Sequence, residues 1–171
     1  MERRCIGQLD RPLTERGRAQ AVAARAVIAS LPISAIFHSP LSRAADTAAL
    51  VADGRYSLRA EIGLQEAHLG IYQGAREDDP ANLFIRDWIA GRAIEGAETY
   101  DALKARVAAA VASILMGLPA PDVPLLVAHA GVYHALRDVM GTPVGRVHHC
   151  IPYFHEPSPD AWRIETIGSA L

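Results

Sequence analysis

Ser39-Pro40-Leu41-Ser42-Arg43-Ala44-Ala45-Asp46-Thr47-Ala48 ends an apolar strand, turns at a proline and opens a helix with an arginine in its first turn. The chemistry this suits is phosphate binding. The first turn of a helix offers backbone N–H groups and the positive end of the helix dipole, and a guanidinium beside them can fork onto two phosphate oxygens. Arg43 is therefore a candidate phosphate ligand, although strand, turn and arginine alone also fit a residue that caps the helix or pairs at the surface. A second candidate is His129, which follows Leu125-Leu126-Val127-Ala128 and precedes Ala130-Gly131. Open α/β sheets take their ligands at the ends of buried strands, and the turn after His129 supplies further N–H groups. Read alone, this position equally fits a helix-capping histidine.

Two more runs complete a series along the chain. One is Gly7-Gln8-Leu9-Asp10-Arg11-Pro12-Leu13-Thr14 with Gly17 and Gln20, and the other is Leu64-Gln65-Glu66 followed by Gly70-Ile71-Tyr72-Gln73-Gly74. With the Arg43 and His129 runs they keep the order and spacing of four motifs. From Arg4 to about His149 the chain resembles the histidine phosphatase superfamily, the phosphoglycerate mutase-like fold. The resemblance implies an α/β fold of three layers, α/β/α, with a mostly parallel sheet. It implies that Arg43 and the backbone of Ala130 hold phosphate, and that His129 is the second active-site histidine, steadying charge on the phosphoryl group. Glu66 becomes the acid that protonates the leaving oxygen and the base that later activates water, a task that needs a raised pKa in a partly dry site. Without the resemblance Glu61, Glu66, Glu77 and Glu98 read alike as solvated acids. Ile6, Gly7 and Gln8 should line the substrate entrance. Ala130 stands where the family more often has glycine, and its methyl group narrows the site.

The family opens with a central strand ending in Arg-His-Gly, whose histidine takes the phosphoryl group, followed shortly by a Thr and an Asn. No stretch of this sequence matches it, and Met1-Glu2-Arg3-Arg4-Cys5-Ile6-Gly7 aligns with the loop beyond it. The expectation is a chain that lacks the first central strand and its nucleophile, through a start at an internal methionine or through shortening, and that is inactive as written. With that strand restored, the implied reaction is two-step phosphoryl transfer. The histidine attacks phosphorus in line, arginines including Arg43 hold the equatorial oxygens, Glu66 protonates the leaving alcohol, and water clears the phosphohistidine. The resemblance calls for no cofactor and no metal.

Three rivals stay open: a non-catalytic phosphate-binding or interaction domain, a phosphoglycerate mutase-like phosphotransferase, and a site where His38 or His129 replaces the nucleophile. The mutase reading is disfavoured because mutases of this family carry extra segments that keep water from the phosphohistidine. For substrate class, the Cys5-x-Gly7-Gln8-x-Asp10-x-Pro12-Leu13 run is similar to α-ribazole phosphatases, whereas Asp87-Trp88 through Glu95-Gly96-Ala97-Glu98 is shared with broad small-molecule phosphatases. A central strand cannot be lost without leaving unpaired edges. The sheet is therefore expected to close by shifting strands, to take a strand from a partner chain, or to pack poorly near Arg4 to Asp10.

Composition narrows the partners. With 171 residues, half of them apolar, and no break in composition, the chain is expected to form one domain over its whole length. A net charge of −2 without a basic stripe or acidic tail argues against nucleic acid and membrane partners. The expected partner is a small phosphorylated metabolite or inorganic phosphate, and a homodimer stays open. Cys5 and Cys150 are too few and too far apart for a disulfide framework or a zinc site, so they read as free thiols in a cytoplasmic protein. His38 reads first as a structural hydrogen bonder. His148, His149 and His155 lack the ordered carboxylate partners of a metal site, and His68 and His134 sit on a loop or helix near the rim.

The elements that must position these residues follow from pattern. Thr14-Glu15-Arg16-Gly17 reads as a cap for a helix whose apolar period runs over 19–31, and Pro32 ends it. A short strand over 35–37 leads to a helix over 42–52 stopped by Asp53-Gly54, then to a strand over 56–62. An amphipathic helix is expected over 78–91, in an insertion placed to cover the site, and another over 99–116. The apolar run 123–128 predicts a strand covered on both faces. A helix over 131–140 follows, and strands over 153–156 and 162–167 should pair as a hairpin. The alternation argues for parallel strands with helical crossovers.

Overall fold

The computed structural model describes residues 4–142 and 147–167. Met1, Glu2 and Arg3, aligned above with the opening loop, lie outside the described residues. The first helix, α1 (Glu15–Ala29), starts where Thr14 turns its hydroxyl back to accept the Gly17 N–H at 3.1 Å, which satisfies one orphan donor of the first turn. Its Ala21, Ala24 and Ile28 lie on one buried stripe. β1 (Ile33–His38) follows, then α2 (Ser42–Ala52), which ends at Asp53 in the left-handed region with φ 49°. Next come the three-residue β2 (Leu58–Ala60) and the 3-10 turns Ile62–Leu64 and Gly70–Tyr72. The short α3 (Phe84–Ile89) precedes α4 (Tyr100–Met116), capped by Thr99 through its hydroxyl to Ala102 N. β3 (Val123–Val127), α5 (Ala130–Val139), β4 (Tyr153–Pro157) and β5 (Trp162–Thr166) complete the order.

β1 is central in a three-stranded sheet, flanked by β2 and β3 with both pairings parallel. Because side chains alternate along a strand, β1 feeds two cores. Ile36, with no exposed surface, joins Ala21, Ala24 and Ile28 of α1 and Ala48, Val51 and Ala52 of α2. Ala35 and Phe37 point the other way, into a core built from Leu103, Val107 and Ile114 of α4 and Val132 and Ala135 of α5. The three layers expected from the sequence follow from this alternation. β3 also sends side chains both ways, Leu126 toward the α4 side and Leu125 and Val127 toward the α1–α2 side. All five of its residues are nevertheless only partly buried, because β1 is its one strand neighbour among the described residues. β4 and β5 pair antiparallel as a separate two-stranded sheet, closed by Ser158 N–H donating to Ala161 O at 2.8 Å.

The strand expected over 56–62 shortens to 58–60, and two further expectations change. The helix over 78–91 is reduced to α3, because Pro80 and short polar side chains claim the backbone ahead of it. Asp79 Oδ1 accepts from Ala81 N at 2.9 Å, Asn82 Oδ1 accepts from Phe84 N at 3.2 Å, and Asn82 Nδ2 donates to Arg76 O at 2.8 Å. Phe84 and Trp88 then anchor α3 in the α4-side core, with Trp88 Nε1 donating to Glu98 O at 2.6 Å. The second concerns the three alternatives for the sheet, closure by shifted strands, a strand from a partner chain, or poor packing near Arg4 to Asp10, the last of which the described residues do not show. Cys5 N donates to Ala75 O at 2.8 Å and Gly74 N to Cys5 O at 2.7 Å, which ties this segment to the loop over 73–76.

Candidate active site

The ends of β1 and β3 bring the predicted residues together. Ser39 N–H donates to Val127 O at 3.0 Å, so the exits of the two strands are joined, one leading into α2 and the other into His129 and α5. Arg43, in the first turn of α2, points back at the Gly7 loop, where Nη2 donates to Gly7 O at 2.7 Å and Nη1 to Leu9 O at 3.0 Å. These bonds use two of the five donors of a guanidinium. Asp10 secures the same loop from its other end, accepting from Ser42 N at 2.8 Å and Ser42 Oγ at 2.7 Å, and these bonds hold its carboxyl below the usual range. The loop is thus clamped onto the start of α2. Gly7 adopts φ 53°, and a Cβ there would fall 2.6 Å from Leu69 Cγ, so glycine is needed for both reasons.

Glu66 lies near enough to Arg43 for their charges to interact. Oε1 accepts from Ala67 N at 2.9 Å and Oε2 from Gly131 N at 3.2 Å, which fixes the carboxylate to the first turn of α5. A Cβ at Gly131 would meet Glu66 Oε1, so a side chain there would displace the carboxylate from this position. Burial raises the Glu66 pKa, and the two backbone N–H groups with Arg43 and Arg106 only partly oppose that. Gln8 bridges loop and acid: Nε2 donates to Glu66 O at 2.9 Å, while its backbone N–H donates to Gln73 Oε1 at 2.9 Å. Ile6, the third residue expected at the entrance, turns the loop by accepting from Leu9 N at 3.0 Å.

His129 caps the β3 end, with Ala130 opening α5 behind it. Its Nε2 lies 2.8 Å from Ser39 Oγ. Burial, then the nearby cationic Arg43 and Arg106, lower its pKa from 6.5 to about 3, so the ring is neutral at physiological pH. His38, in contrast, has Nδ1 2.9 Å from the Ser39 carbonyl, the structural role expected of it. His68 Nδ1 accepts from Gly70 N at 3.2 Å in the loop after Glu66. Cys5 and Cys150 are free thiols. Among the described residues no group of three or more His, Cys, Asp or Glu side chains is arranged to hold a metal ion, and no helix is long and apolar enough to cross a membrane.

Sequence reasoning passed over Arg106. From α4 it grips Glu98 in a two-point bond, Nε to Oε1 at 2.8 Å and Nη2 to Oε2 at 2.7 Å. Its Nη1 meanwhile donates to Gly63 O at 2.8 Å and Gln65 O at 3.0 Å. It holds the chain just ahead of Glu66. Nothing in the sequence separates Arg106 from a surface arginine, and the only available signal was its place one residue before buried Val107.

A guanidinium, a carboxyl whose pKa is raised by burial and a neutral imidazole thus lie together around the strand ends and a helix start of this α/β fold. The sequence profile of the histidine phosphatase superfamily (branch 1) matches residues 1–155, and the chain belongs to that family. It is 31% identical to the probable phosphoglycerate mutase GpmB of Photorhabdus laumondii subsp. laumondii, over 97% of this chain and 85% of that protein. It is 36% identical to the glucosyl-3-phosphoglycerate phosphatase of Mycobacterium tuberculosis, over 78% of this chain and 66% of that one. Among solved structures, the mycobacterial glucosyl-3-phosphoglycerate phosphatase complexed with inorganic phosphate superposes with a TM-score of 0.80 at 28% identity, covering 99% of this chain and 93% of that chain.

Proposed function

We propose that this chain forms a phosphomonoester site of the histidine phosphatase type, in which Arg43 and the Ala130 N–H hold phosphoryl oxygens, His129 steadies them and Glu66 serves the ester oxygen. Ile6, Gly7 and Gln8 border the ligand. The observation that carries this is the Glu66–Gly131 hydrogen bond at 3.2 Å, which ties the half-buried acid to the same short segment that bears His129. A carboxyl whose pKa is raised by burial holds its proton to higher pH than a free one, which favours donation to a leaving alkoxide. A phosphatase of this family from M. tuberculosis and a structure of a mycobacterial relative bearing inorganic phosphate support the ligand class.

The Arg-His-Gly sequence that supplies the family's nucleophile does not occur in the 171 residues. The reading for this chain is therefore ester binding and acid–base assistance without turnover of its own, with phosphatase favoured over mutase chemistry as the reaction the site is built for. The run from Cys5 to Leu13 favours an α-ribazole phosphatase-like substrate class, and two free thiols favour the cytoplasm.

Titration with inorganic phosphate and with p-nitrophenyl phosphate tests the reading. Saturable binding is expected, weakened about tenfold or more in Arg43→Lys, which keeps the charge but loses the forked geometry. No p-nitrophenol should be released. Absence of binding overturns the site, whereas release with an acid-labile phosphohistidine at His38 or His129 overturns the claim of no turnover.

A further inference from the structure

Ser39 is the only residue in the polar or charged class that is fully buried among the described residues, with no exposed surface. Its hydroxyl has two neighbours. Leu41 N–H donates to Oγ at 3.3 Å, and His129 Nε2 sits 2.8 Å away. A serine hydroxyl carries one hydrogen to give and two lone pairs to receive. Leu41 takes a lone pair, since a backbone N–H can only donate. The hydroxyl hydrogen then has one acceptor within reach among the described residues, the imidazole Nε2. If Nε2 carried the ring proton instead, the Ser39 O–H would be left buried and unpaired, at a cost of about 1–3 kcal/mol.

We propose that Ser39 is a positioning residue that donates to His129 Nε2, locks the ring in the neutral tautomer protonated at Nδ1, and so makes Nδ1–H the ring's single donor for a phosphoryl oxygen. This inference rests on the ester-binding reading for the ligand, but not for the tautomer. The surroundings agree with it. Arg43 from α2 and Arg106 from α4 both disfavour an imidazolium, and the Glu66 carboxylate directs its Oε2 at Gly131 N rather than at the ring. Ser39 is itself too deeply buried to attack an ester, so a Ser–His nucleophilic pair is not the meaning of the contact.

Long-range ¹H–¹⁵N NMR of the His129 ring in the 171-residue chain reads the tautomer directly. The expected spectrum has a protonated Nδ1 and a bare Nε2, unchanged from about pH 5 to 8 in line with the low pKa. A ring protonated at Nε2, or a fast mixture of tautomers, overturns the proposal. In Ser39→Ala the ring should become a mixture and inorganic phosphate should bind about five- to tenfold more weakly, as loss of one hydrogen bond predicts. Ser39→Thr keeps the hydroxyl and should restore both. An alanine variant that is merely less stable, with tautomer and affinity unchanged, also overturns it. If Ser39→Ala does not fold, the wild-type ring spectrum decides. Wild-type chain with Nδ1–H but no phosphate binding overturns the ester-binding reading and leaves the tautomer assignment standing.

Discussion

At the residue scale, the two titrating side chains of the site pull stability in opposite directions with pH. Histidine in the unfolded chain titrates near 6.5, whereas His129 in the fold stays neutral down to about 3. Between those values the unfolded state binds the extra proton, so the stability contributed by neutral His129 is complete above about 6.5 and is lost as pH falls toward 3. Glu66 has the opposite sign, since its raised pKa means that the fold binds the proton more readily and gains stability as the carboxyl protonates. Urea unfolding from pH 7 to 4 should show a falling stability that His129→Gln flattens, and an unchanged slope in that variant would refute the burial of a neutral ring. The sequence pointed to His129, Glu66 and Arg43 through their motifs, but it could not show what each one faces. Arg43 spends two donors on the carbonyls of Gly7 and Leu9, so it builds the loop. Ser39 stood in plain view beside Pro40, and only its zero exposure and its distance to Nε2 reveal what its hydroxyl does.

At the scale of elements, local chemistry made most boundaries readable. Thr14 and Thr99 cap their helices as hydroxyl residues do, α2 spans the expected 42–52, and the hairpin forms where predicted. Failure came where side chains compete with the backbone, as Asp79 and Asn82 do ahead of α3, and where a partner decides exposure, as at β3. Arg106 belongs to this scale because it fastens α4 to the turn that carries Glu66. Its ion pair with Glu98 is mostly shielded, with side-chain exposures of 26% and 16%. Arg106→Ala removes the pair and uncaps the carbonyls of Gly63 and Gln65, so a loss of about 2–4 kcal/mol is expected by urea denaturation. A loss under about 0.5 kcal/mol would mark the pair as an ordinary surface contact.

At the scale of the molecule, the site is assembled from segments far apart along the chain. Gln8 meets Glu66 across 58 positions, Glu66 meets Gly131 across 65, and Ser39 meets His129 across 90. None of the four segments can present the site alone, because each supplies one side of a hydrogen bond completed by another. This has a consequence for time rather than for geometry. Long loops must close before such contacts are rewarded, so they belong to the last stage of folding. A ligand that needs all four segments has nothing to grip in the transition state. Inorganic phosphate should therefore leave the refolding rate in stopped-flow urea jumps unchanged and slow unfolding in proportion to the stability it adds. Faster refolding with phosphate would mean that part of the site forms early. Occupied, the protein would be preserved mainly by how seldom it opens, and its lifetime against proteolysis would follow the supply of phosphate ester around it.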